Sequence, residues 1–116
     1  TPKICLVSKP ASFKSISGLK IDKADSDISA RYLSMGKVHR VLPATGAMCL
    51  GVASLIKGTI CNNMILMEKE DVRISNPSGV LTISPEVTQE PEGWSVKNIR
   101  VYRTARTLMV GHVILP

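Results

Sequence analysis

Two short segments of this 116-residue sequence combine residue types and spacing that could do chemistry. The first is Thr45-Gly46-Ala47-Met48, which opens a long apolar run. The first N–H groups of a helix have no intrahelical acceptor and carry about half a unit of positive charge. Small side chains there let an anion approach the backbone, and Gly46 lets it come closest. A carboxylate docked at such a terminus has the charge of an enediolate stabilised as a proton leaves the neighbouring carbon, by the logic of an oxyanion hole. Thr45 is placed as the N-cap, with its hydroxyl as a further donor. The bland alternative is that Thr45 only caps and Gly46 only permits tight packing, and on these residues both readings stand.

The second segment is Asn76-Pro77-Ser78-Gly79, in composition a hairpin turn. Its functional reading has the Ser78 hydroxyl and the Gly79 N–H facing the helix start and gripping another carboxylate. Lys37, His39 and Arg40 can complement anions or form a solvated basic loop. Arg103 and Arg106, in Arg-Thr-Ala-Arg, can offer a bidentate fork or simply end a strand in water. Cys49 invites a nucleophilic role, but one turn inside an apolar helix a thiol usually behaves as a small buried hydrophobe. Neither histidine is placed to activate it. Cys5 and Cys61 read as structural or incidental.

These groups need elements to hold them. Lys3 to Ser8 fits a short buried strand, and residues 9–24 read as a loop with strand character near Leu19–Ile21. A helix is expected from Asp25 or Ser26, with Ile28, Tyr32, Leu33 and Met35 on one face and Gly36 as its stop. A second helix runs from Gly46 to about Lys57, closed by Gly58; it is apolar nearly all round, which marks burial on most sides. Beyond Lys69 the period becomes two. Val72 to Ser75, Val80 to Val87, Trp94 to Tyr102 and Leu108 to Leu115 read as strands joined by turns. In the third, apolar parity slips from Trp94 and Val96 to Ile99 and Val101, which predicts a bulge. The result is an α+β arrangement, an antiparallel sheet wrapped around a central apolar helix.

Composition narrows the function classes. At 44% hydrophobic and 21% charged the chain is not a disordered one, and no stretch is suited to span a bilayer. No leader with a cleavage site opens it, and the absent initiator Met fits either removal or a piece of a longer product. Three cysteines without a Cys-x-x-Cys pair favour a reducing, cytoplasmic setting over a disulfide framework, and two widely separated histidines make a structural zinc site improbable. A net charge of +6 favours an anionic partner. Nucleic acid is disfavoured because aromatic residues are few and the basic residues scattered, whereas small polycarboxylates fit the same charge.

The run Lys37 to Leu50 (KVHRVLPATGAMCL), with Asn76-Pro77-Ser78-Gly79, Arg103-Thr-Ala-Arg106-Thr-Leu-Met and the opening Pro2-Lys3-Ile4-Cys5-Leu6-Val7-Ser8, resembles the PrpF-like isomerases. That family covers 2-methylaconitate cis-trans isomerase, methylitaconate Δ-isomerase, aconitate isomerases and oxalomesaconate tautomerase. The resemblance implies a diaminopimelate epimerase-like fold of two similar domains with the active site between them. Residues 1–116 would be most of the C-terminal domain, with the N-terminal domain outside this chain. It carries carboxylate binding to Thr45, Gly46, Ala47, Met48, Ser78 and Gly79. The family's usual His-Pro-Ser-Gly is Asn76-Pro77-Ser78-Gly79 here, which puts a role for residue 76 in doubt. The epimerase branch places a catalytic cysteine where this chain has Pro43, so no catalytic residue is assigned within it; the lysine and cysteine that move the proton would lie in the N-terminal domain. The implied chemistry is an allylic proton shift or cis-trans isomerisation of an unsaturated di- or tricarboxylate, without metal or organic cofactor. Expected partners are that substrate and the N-terminal domain, with a homodimer allowed and neither nucleic acid nor membrane. The rival class is a non-catalytic anion-binding or accessory module that assists another enzyme.

Overall fold

The period-two segments largely become the expected strands in the computed structural model, which describes residues 2–116. In chain order these are β1 (Ile4–Ser8), β2 (Phe13–Lys14), β3 (Lys20–Ile21), β4 (Ile28–Ser34) and β5 (Lys37–Val38), then helices α1 (Ala44–Leu55) and α2 (Ile60–Met64), then β6 (Val72–Asn76), β7 (Gly79–Glu90) and β8 (Gly93–Val101). One six-stranded sheet runs β1-β4-β6-β7-β8 with β5 beside β4, while β2 and β3 form a separate small hairpin. The sheet curls as a half-barrel beside α1, an α+β architecture.

Three expectations are corrected. Residues 28–34 are a strand, not a helix. The spacing of Ile28 and Tyr32 satisfies both periods, but Ile28 and Ala30 both enter the hydrophobic core, as i and i+2 of a strand can. Met35 and Gly36, at φ of 53° and 73°, form the two-residue turn to β5, and left-handed backbone at both turn positions suits a tight hairpin. The sheet is mixed rather than antiparallel, because β4 and β6 run parallel through Ile28↔Ile74 and Ser29↔Ser75. Residues 108–115 form no strand; Leu108, Val110 and Ile114 lie in an exposed tail without a partner strand among the described residues. The bulge is present: Glu86 faces Asn98 and Val87 faces Val96, which leaves Lys97 as the extra residue where parity slips.

The core lies between α1 and the sheet, with Ile28, Ile74 and Ile83 fully buried against Ala47 and Leu50. The helix is buried along one stripe, Ala47, Leu50, Gly51 and Ser54, and not on most sides as its composition suggested. Gly51 sets the spacing, because a Cβ at this position would lie 2.8 Å from Ile83 Cγ2 on β7. Ser54 donates to the Leu50 carbonyl at 2.8 Å, so the one hydroxyl in that stripe is satisfied within the helix.

The short parallel ladder is clamped by polar groups. Buried Asp27 accepts from the Arg73 backbone N–H at 2.8 Å and from its Nε and Nη2 at 3.1 and 2.9 Å. The Asp27 N–H donates to the Arg73 carbonyl at 2.7 Å. One step along, the hydroxyls of Ser29 and Ser75 meet at 2.7 Å in a buried contact. Burial pushes the Asp27 carboxyl up, but the hydrogen bonds and charge of Arg73, helped by Lys69, outweigh it and hold the group below the usual carboxylate range.

In the full-length protein, Gly51→Ala should lower stability by about 1–2 kcal/mol, overpacking outweighing a helix-propensity gain of about 1 kcal/mol. Ile83→Ala should abolish that penalty, so a double-mutant cycle of urea midpoints tests the contact directly. Because Asp27 is depressed in the folded state, its contribution is present above the unfolded carboxylate value of about 3.9 and is lost as pH falls through the lower folded value. Asp27→Asn should therefore be destabilised at pH 6 and show a flatter stability profile than wild type below about pH 4.

Candidate functional site

Helix α1 begins two residues earlier than its apolar run suggested, at Ala44, and its N-cap is Pro43 rather than Thr45. Pro43 supplies no side-chain acceptor, so no side chain caps this terminus. The N–H of Ala47 already donates to the Pro43 carbonyl at 2.8 Å. The first-turn N–H groups therefore belong to Ala44, Thr45 and Gly46.

The end of α1 and the β6–β7 hairpin meet at a cleft of about 150 Å³. Leu42, Ala44, Asn76, Ser78, Gly79 and Arg103 line it, with further apolar wall from Val41, Val80 and Leu81. Asn76 is buried, and its Oδ1 accepts from the Ser78 N–H at 3.1 Å, an Asx turn that fixes the hairpin tip. Ser78 Oγ donates to the Arg40 carbonyl at 2.5 Å, and the Ile16 N–H donates to the Pro77 carbonyl at 2.9 Å. Two loops thus brace the turn from outside. The hydroxyl proton of Ser78 is committed to Arg40, so toward the cleft this oxygen offers lone pairs. Gly79 has φ of 138°, and a Cβ there would stand in open space.

Of the six residues singled out from sequence, Ser78 and Gly79 line this cleft beside Ala44. Thr45 and Gly46 instead face a second, wider groove of about 520 Å³ on the other side of α1. Successive helical residues turn by about 100°, so four in a row cannot share a wall. Ala47 is buried in the core and Met48 is half-buried outside both cavities. A Cβ on Gly46 would lie 3.0 Å from the Tyr32 ring, so this glycine permits close packing of α1 against β4. Lys37 and His39 stand apart; the His39 ring sits edge-on to Tyr32 at 5.5 Å. Arg106 lies in the exposed tail.

Cys49 is exposed on the uncovered face of α1, which corrects its reading as a buried thiol. It lines the wide groove together with Cys5 and Cys61. Burial first, and the nearby Cys61 second, raise Cys5; burial first, and the nearby Cys49 second, raise Cys61. Neither of these two thiols is activated as a nucleophile. Among the described residues no group of three or more His, Cys, Asp or Glu is placed to hold a metal ion.

The model of the PrpF protein family matches residues 1–116, the whole chain. The chain belongs to the PrpF protein family. Similar PrpF relatives include the 2-methyl-aconitate isomerase of Shewanella oneidensis, 41% identical over 100% of this chain and 30% of that protein. The 3-methylitaconate isomerase of Eubacterium barkeri is 34% identical over 97% of this chain and 29% of its own length. The crystal structure of methylitaconate-delta-isomerase matches 88% of this chain and 28% of that chain, with TM-score 0.71 and 28% identity. This PrpF chain therefore spans about 30% of the length of the relatives it matches.

Asn76 is the residue whose part sequence reasoning left in doubt; an Asx turn before Pro-Ser-Gly was the available signal. Asn76→Ala in the full-length PrpF protein leaves the Ser78 N–H without its acceptor. It should cost about 1–2 kcal/mol in urea unfolding, with Asn76→Asp less affected because the acceptor is kept.

Proposed function

We propose that the complete protein is a cofactor-independent isomerase of unsaturated di- or tricarboxylates of the methylaconitate, aconitate or methylitaconate type. In this reading the chain is most of the C-terminal domain and forms the carboxylate-binding wall. The observation that carries it is the cleft where the uncapped start of α1 meets the Asn76–Gly79 turn. The family match and the names of the relatives support the same reaction class.

The reaction needs one proton removed from a carbon next to a carboxylate or conjugated alkene and one returned at the other end of the allylic system. Between the two steps the electron pair spreads into the carboxylate as a dienolate, and no net oxidation or reduction occurs. The backbone N–H at the start of α1, where Ala44 lines the cleft, is oriented before the substrate arrives and stabilises that added charge. Gly79 leaves its side of the cleft open to a carboxylate, and Ser78, held by Arg40, fixes the turn rather than donating to the substrate. The general base and acid come from the N-terminal domain, since the cleft is lined by no carboxyl, histidine, thiol or lysine among the described residues. Three free cysteines accord with a reducing, cytoplasmic setting.

Full-length protein incubated with 2-methylaconitate or methylitaconate in deuterated water should isomerise the acid and incorporate deuterium at the allylic carbon, followed by NMR. Residues 1–116 alone should give neither. Absence of isomerisation of every acid in this class by folded full-length protein would falsify the reading. Deuterium incorporation by the isolated 116-residue chain would place the base within it.

A further inference from the structure

We propose that Arg103 is the residue that recognises one terminal carboxylate of the ligand in the α1 cleft. Among the described residues lining that cleft, Arg103 is the one ionisable side chain. No acidic group pairs with it among the described residues. The nearby polar groups have other work: Asn76 Oδ1 accepts from the Ser78 N–H, and the Ser78 hydroxyl donates to the Arg40 carbonyl. The remaining wall, Leu42, Val41, Val80 and Leu81, is apolar; Arg103 is itself exposed, and its pull on a carboxylate strengthens when a second wall excludes water from the cleft.

The chain delivers Arg103 to this point by its path out of the sheet. Val101 pairs with Ile83, and the next residue, Tyr102, is hydrogen-bonded through its hydroxyl to buried Ser84 Oγ at 3.1 Å. Ser84 is bonded in turn to Asp71. With Tyr102 pinned, residue 103 continues alongside Leu81 and reaches the hairpin end. The cleft's volume of about 150 Å³ equals roughly five waters. It accommodates one carboxylate arm, well short of the 300 Å³ or more typical of a whole small-molecule site. The inference rests on the proposed function and deepens it: the ligand must present a free carboxylate arm to Arg103, and an ester or amide of that arm is rejected.

Arg103→Met and Arg103→Lys in the full-length protein test this with 2-methylaconitate and methylitaconate. Arg103→Met should raise KM about a hundredfold, with kcat within about fivefold, because the group binds the arm rather than moving the proton. Arg103→Lys should recover part of the loss, since an ammonium keeps the charge without the fork. The decisive readout is discrimination: wild type should prefer the free acid over the ester of the recognised arm by about a hundredfold, and Arg103→Met by less than threefold. A folded Arg103→Met protein with unchanged KM and intact discrimination overturns the proposal. If wild type isomerises none of the acids, the functional reading fails, and calorimetric titration with tricarballylate still decides Arg103. Tenfold or greater weakening in Arg103→Met then supports it; equal binding, or no binding to wild type, overturns it.

Discussion

The close approach of α1 to the sheet at Gly51 is the constraint on which the other distances depend. A helix packs on a sheet at a spacing set by its largest interfacial side chains, and here the interface holds alanine, glycine and serine beside Leu50. With no Cβ at residue 51, the Ile83 side chain reaches the helix backbone itself. Gly46 does the same one turn and a half earlier, against the Tyr32 ring on β4. The helix is therefore fixed at two points on two different strands, and its first turn has no freedom to drift from the hairpin end of β6 and β7. Precision at the cleft is a by-product of packing density in the core.

The second requirement is a rigid turn opposite that helix start, and the polar network supplies it. Parallel pairing between β4 and β6 rests on two residue pairs, a short ladder for strands so distant in sequence. Asp27 and Arg73 exchange backbone and side-chain hydrogen bonds at one end of it, and Ser29 and Ser75 meet inside it. With β6 held there, Asn76 at its far end is buried and its side chain shapes the turn. Loops from two other parts of the chain, at Ile16 and Arg40, then hold Pro77 and Ser78. Apart from the local bond within the turn, each of these contacts joins segments far apart in sequence, so the turn is the meeting point of the fold rather than a loose hairpin tip.

Much of this was legible in the sequence where the signal is local. The apolar run gave α1 and its length, period two gave β6 to β8, and the parity slip gave the bulge opposite Glu86 and Val87. Failures arose where a local pattern is degenerate or the cause is distant. Ile28 and Tyr32 fit a helix as well as a strand, and Met35-Gly36 lacks the Asn-Gly signature that marks a two-residue hairpin. Parallel pairing of β4 with β6 has no local trace, because its specificity lies in Asp27 meeting Arg73 across the fold. The tail at 108–115 has the composition of a strand, but a strand needs a neighbour to bond with, and none lies beside it among the described residues. At the site, helix geometry sends Thr45 and Gly46 to one cavity and Ala44 to another, a division that a linear motif does not carry. Arg103 is an exposed residue just past the end of β8, as the sequence suggested, but it also lines the cleft, next to Tyr102 with its hydrogen bond to Ser84.

Separating recognition from proton transfer has a physical rationale in the proposed enzyme. A base strong enough to remove an allylic proton must sit close to the substrate carbon, yet a guanidinium or a helix N-terminus touching that base would lower its pKa and so weaken it, whether it is a lysine, a carboxylate or a thiolate. Placing the cationic elements on one wall, with no titratable partner among its lining residues, leaves the pKa of the opposite wall's base to be set by its own surroundings. The open half-cleft is also electrostatically weak, because water screens Arg103 and the amides of α1. Closing a second wall over the substrate would remove that water and strengthen the stabilisation of the dienolate when the base comes within reach. Binding and chemistry are then coupled by exclusion of solvent, so the same backbone amides that hold the acid weakly in the open state stabilise its anion strongly in the closed one.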